Sequence, residues 1–123
     1  MKGTKPQIRV DAKAIARTPR PPAWLSQHAR AEWRRIMPHL VERRILTDAD
    51  LAMVEGFCIA TSRVREVEDL MRSGDMLDPK LWRVQNQALQ TARQIAAELG
   101  LTPVSRSRPT IRDDDQSDNE FDL

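Results

Sequence analysis

The chain has 123 residues, little glycine, no tyrosine and a single cysteine, Cys58, which bounds it to about one domain and excludes an internal disulfide and a sheet-rich fold. No apolar run approaches the roughly 18 residues of a membrane span, and the basic N-terminus lacks a signal-type hydrophobic stretch, so a reducing, intracellular location is expected. Net charge is +2, yet Asp113–Leu123 carry six acids and no base, leaving 20 bases, 16 of them arginine, against 12 acids over the first 112 residues; a basic body with an acidic tail points to a nucleic-acid partner.

Residues 1–22, "MKGTKPQIRVDAKAIARTPRPP", hold four prolines and six bases without a sustained apolar face. They read as a flexible basic arm, with at most a short helix over Ala12–Arg17. Lys2, Lys5, Lys13, Arg17 and Arg20 in this arm suit a phosphate backbone, each contact releasing counterions.

Residues 23–46 read as an N-terminal helical unit. Ser26 caps it, and Leu25, Ala29, Trp33, Ile36, Met37 and Leu40 recur at spacings of three and four on one face. Pro38 is expected to interrupt the helix or to open a new short one. Arg34, Arg35, Arg43 and Arg44 fall on other faces and are candidate DNA contacts, although arginine suits a solvated helix surface equally well.

Residues 47–104 read as a long antiparallel helical hairpin. "TDAD" from Thr47 to Asp50 is a capping-box start. Leu51, Val54, Cys58, Thr61, Val64, Val67 and Met71 follow at helical spacing over about 26 residues to Gly74, a glycine terminator. Asp78 and Pro79 open the third helix as N-cap and first residue. Leu81, Gln85, Ala88, Ala92, Ile95 and Leu99 then make a near-heptad stripe, with Leu89 beside it. Gly100 ends that helix, Leu101 folds back on Ile95 and Ala96, and Pro103 prevents continuation. Trp33, Leu51, Val54, Phe57, Val64, Leu81, Leu89, Ile95 and Leu99 are the expected core and oligomerisation residues. The body is small for its apolar surface, which favours self-association, the alternative being a compact three-helix or four-helix monomer. Residues 105–123 form a second flexible tail, basic at Arg106, Arg108 and Arg112 and acidic from Asp113, Asp114 and Asp115 onward.

Catalytic constellations are poor, and no enzyme or cofactor is expected. His28 and His39 lack partners at metal-ligand spacing, Cys58 has no nearby histidine, and Gly56 and Gly74 stand apart from any phosphate-binding loop. The "DDD" run lacks the fixed oxygen geometry of a magnesium site. Trp24, Trp33 and Trp82 read as core or interface anchors rather than base-stacking platforms.

Four segments in order, "MKGTKP", "PPAWLSQHARAEWRRIMPHL", "ILTDADLAMVEGFC" and "IAAELGLTPVSRSR", together resemble the small subunit of a tailed-phage terminase over Met1 to about Arg108. The resemblance implies an all-α protein without catalytic activity, acting in the host cytoplasm. It implies recognition of viral double-stranded DNA, assembly into a ring-shaped homo-oligomer, and regulation of the large terminase subunit that carries the ATPase and nuclease. The tail residues Arg106 to Asp115 would then meet DNA or the large subunit. The rival reading is a dimeric helix-turn-helix transcriptional regulator with Thr47 opening its recognition helix; a third is a structural helical adaptor that binds no DNA.

Overall fold

The computed structural model describes residues 13–44, 46–75 and 77–102. Lys2, Lys5, Arg106, Arg108, Arg112 and Asp113–Asp115 lie outside the described residues. Three helices make up the body: α1 (Gln27–Glu42), α2 (Leu51–Leu70) and α3 (Pro79–Leu99). The described residues are all-α, as the periodicities predict.

α1 and α3 each begin where a side chain accepts one of the helix's orphan N–H groups. Ser26 Oγ accepts the Ala29 N–H at 3.3 Å. Asp78 Oδ1 accepts the Lys80 N–H at 2.9 Å, with Pro79 following at the first helical position. Before α2 the capping residues open a 3-10 turn, Asp48–Asp50, rather than the α-helix itself. There the Asp50 carboxylate accepts the Thr47 N–H at 2.8 Å and the Thr47 hydroxyl at 3.1 Å.

One expectation at the helix ends fails. Pro38 does not interrupt α1, which runs unbroken through it. Its ring lies on an exposed position, where the missing hydrogen bond opens onto water rather than into the core. Gly74, at φ 136°, sits within the π-type turn Met71–Asp75 that closes α2. Gly100, at φ 74°, ends α3: its own N–H reaches the Ala97 carbonyl at 3.2 Å and the Leu101 N–H reaches Ala96 at 2.7 Å. That pair of bonds is the Schellman motif, which needs a left-handed residue.

α2 is the central element, packed by α1 on one side and α3 on the other. α2 and α3 run antiparallel. A Cβ built on Gly56 lies 3.5 Å from Ile95 Cδ1 at one end of the pair. Gln85 Nε2 donates to the Val64 carbonyl at 3.2 Å and to Glu68 Oε1 at 3.0 Å toward the other. Trp33, Ile36, Met37, Leu40, Val54 and Cys58 are fully buried and form the α1–α2 core. Phe57 and Leu99 are also buried, while Leu51 and Ile95 pack against the core half-buried. Val64 and Leu81 are likewise half-buried. Leu89 stands outside the core, 45% exposed.

The described part of the arm differs from the free segment expected of it. Residues 13–17 form no helix. The Ile15 N–H instead donates to the Leu46 carbonyl at 2.8 Å, and Ile15 packs on the core. Further on, the Trp33 indole N–H donates to the Pro19 carbonyl at 2.8 Å. A buried tryptophan must satisfy its one donor, and the extended, proline-rich segment supplies a carbonyl without a helical partner.

Candidate nucleic-acid interface

Two ties hold the N-terminal segment on the body. Ile15 is held at Leu46, two residues from Arg44, and Pro19 is held at Trp33, next to Arg34. Lys13, Arg17 and Arg20 on this tethered segment are exposed, and so are Arg34 and Arg44.

Arg44 is held at φ 60°, the one non-glycine residue among those described with positive φ. It terminates α1 in the left-handed region, its N–H reaching the Val41 carbonyl at 2.9 Å. Glycine would take this conformation at lower cost.

Two of the nominated arginines are engaged within the chain. Arg35 makes a two-pronged ion pair with Glu32, Nε to Oε1 at 3.0 Å and Nη2 to Oε2. Glu32 is only 4% exposed, so its carboxylate depends on this fork for neutralisation. The same pairing raises the Arg35 pKa. Arg43 Nη1 reaches the Leu99 carbonyl at 3.4 Å, placing its charge at the C-terminal, partially negative end of α3. Sequence reasoning missed the buried state of Glu32; its spacing of three from Arg35 was the available signal. Arg30, on the face of Arg34, donates to the Ala23 and Leu25 carbonyls and anchors the entry to α1.

The start of α2 bears on the rival regulator. Its opening turn carries Asp48 and Asp50, and the helix is flanked by both neighbours. A recognition helix must present its N-terminal residues to a phosphate-rich groove, and two carboxylates there oppose that.

The two histidines lie apart. His28 Nε2 lies 3.5 Å from Asp69 at the surface, whereas His39 is about 16 Å further along α1 at helical rise. Among the described residues no group of three metal-ligating side chains is found, and no described helix is long and apolar enough to cross a membrane. Cys58 is buried, and desolvation, reinforced by Glu32, pushes its thiol up to about 12. Above an ordinary thiol pKa the unfolded chain then loses this proton while the native one keeps it, so stability falls as pH rises from about 9 towards 12. Urea titrations across that range should show the fall, and a Cys58→Ala variant should show a shallower one. Native protein should also resist thiol alkylation until it is unfolded.

Comparison with known proteins adds one match: the model of the family described as phage terminase, small subunit, covers residues 29–116. No curated protein and no solved structure matches the chain.

Proposed function

The chain belongs to the phage terminase small-subunit family, and from that premise we propose that it binds viral double-stranded DNA, assembles into a ring and regulates the large terminase subunit. Its role is in phage DNA packaging, and we place that role in the host cytoplasm. It carries no catalytic step itself; the ATPase and nuclease chemistry belongs to the large subunit. The observation that supports DNA binding best is that the Ile15 and Trp33 hydrogen bonds tether the segment carrying Lys13, Arg17 and Arg20 to the body, with those bases, Arg34 and Arg44 all exposed. We assign contact with the large subunit to the tail beyond residue 105, whose arginines and acids can serve DNA and a basic protein surface in turn.

The test is equilibrium binding to duplex DNA across a salt series. Each phosphate contact contributes about 0.9 to the slope of log affinity against log salt. Changing Arg17, Arg20, Arg34 and Arg44 together to glutamine should lower that slope by about 2 to 4 and weaken binding at least tenfold at moderate salt. The Arg35→Gln change alone should leave the slope unaltered. An unchanged slope in the fourfold variant, or no binding by the native chain, would refute the assignment.

A further inference from the structure

The hairpin has two flanks, and they differ in kind. On one, α2 and α3 leave a groove of about 260 Å³ floored by Gly56, Ala60 and Ala88 and edged by Arg63, Val84 and Thr91. Small side chains on both helices make the groove, and among the described residues none fills it. On the other flank α3 carries Trp82 and Leu89, 53% and 45% exposed. At 3.6 residues per turn, Trp82 and Leu89 share one face, about 150° around α3 from Val84, Ala88 and Thr91.

This placement restricts how two copies can meet. A two-fold contact pairs a patch with itself. It would set groove against groove, leaving both empty, or set Trp82 and Leu89 against their own copies while both grooves stay open. A head-to-tail contact brings the tryptophan and leucine flank of one copy to the groove flank of the next and repeats indefinitely. Arg63 on the groove rim would then meet an incoming tryptophan face, a favourable cation–aromatic arrangement. We propose that α3 is a two-sided connector: Trp82 and Leu89 of one copy seat in the Gly56–Ala60–Ala88 groove of a second copy of this chain. The proposal rests on the ring-forming reading above and deepens it by naming the two faces that alternate around the ring.

Two surface variants and their mixture test it. Trp82→Ser with Leu89→Ser removes the inserting side chains, whereas Thr91→Trp, at an exposed position on the groove edge, fills the groove. Each variant purified alone should have the mass of a monomer in native mass spectrometry, with helical content unchanged by circular dichroism. Mixed one to one, they should form a heterodimer that grows no further, because one intact interface remains between the two and none beyond it. That recovery also shows that both variants are folded. Native-sized oligomers from either variant, or a mixture that stays monomeric, would overturn the proposal. If the variants keep the oligomer, the ring reading stands and this interface is wrong. If the unaltered chain is itself monomeric, both fall together.

Discussion

Replacing Trp33 by alanine should cost about 3–5 kcal/mol of stability, the largest loss expected from any single change in this chain. Trp33 is 2% exposed and lies in the core that α1 shares with α2, so truncation leaves a cavity that a helix crossing can close only in part. The change also removes the indole donor to the Pro19 carbonyl. That bond holds the basic segment along the body, so the variant should lose salt-dependent DNA affinity as well as stability. Trp33→Phe separates the two effects: the ring volume is largely kept, the donor is lost, and the cost should fall to about 1–2 kcal/mol. Urea midpoints at fixed protein concentration measure both, with the slope of unfolding unchanged. A loss below about 1 kcal/mol for the alanine variant would mean that α1 is not anchored through this residue.

Gly100→Ala should come second, at about 2–3 kcal/mol. Two independent causes act there. The backbone sits at φ 74°, which an L side chain occupies at a cost of about 1–2 kcal/mol. A Cβ would also lie 2.5 Å from Arg43 Nη1, so the guanidinium must move and give up the Leu99 carbonyl. The two causes separate in a double-mutant cycle. In an Arg43→Ala background, Gly100→Ala should cost only the backbone share. An equal cost in both backgrounds would show that Arg43 does not press on the end of α3.

Capping chemistry made the helix boundaries legible. Ser26, Asp78 with Pro79, and Gly100 with Leu101 act on neighbours no more than five residues away, and local bonds of that kind are visible in a linear sequence. Pro38 was misread because its effect depends on which side of the helix it faces. Periodicity had placed Ile36, Met37 and Leu40 inward, and that pattern already implied an outward-facing residue 38. The docking of residues 13–22 was hidden for a different reason. It depends on contacts from Ile15 to Leu46 and from Pro19 to Trp33, which no spacing rule reports.

The basic surface was legible as a composition and not as a site. Arginine serves phosphate recognition, buried-carboxylate neutralisation and helix capping with the same fork. Only the fold shows that Arg35 serves Glu32 and Arg43 serves the end of α3, while Arg17, Arg20, Arg34 and Arg44 lie exposed. The groove was harder still. Gly56, Ala60 and Ala88 do not read as one groove until α2 and α3 are set against each other, and Leu89 reads as core until its exposure is known.

The native mass of the full chain across a range of salt tests the central reading most directly. A ring joined through apolar faces should give one large oligomer of fixed mass that persists as salt rises, since screening weakens exposed charge pairs and spares apolar burial. A chain that is monomeric or a simple dimer at every salt concentration would contradict the ring.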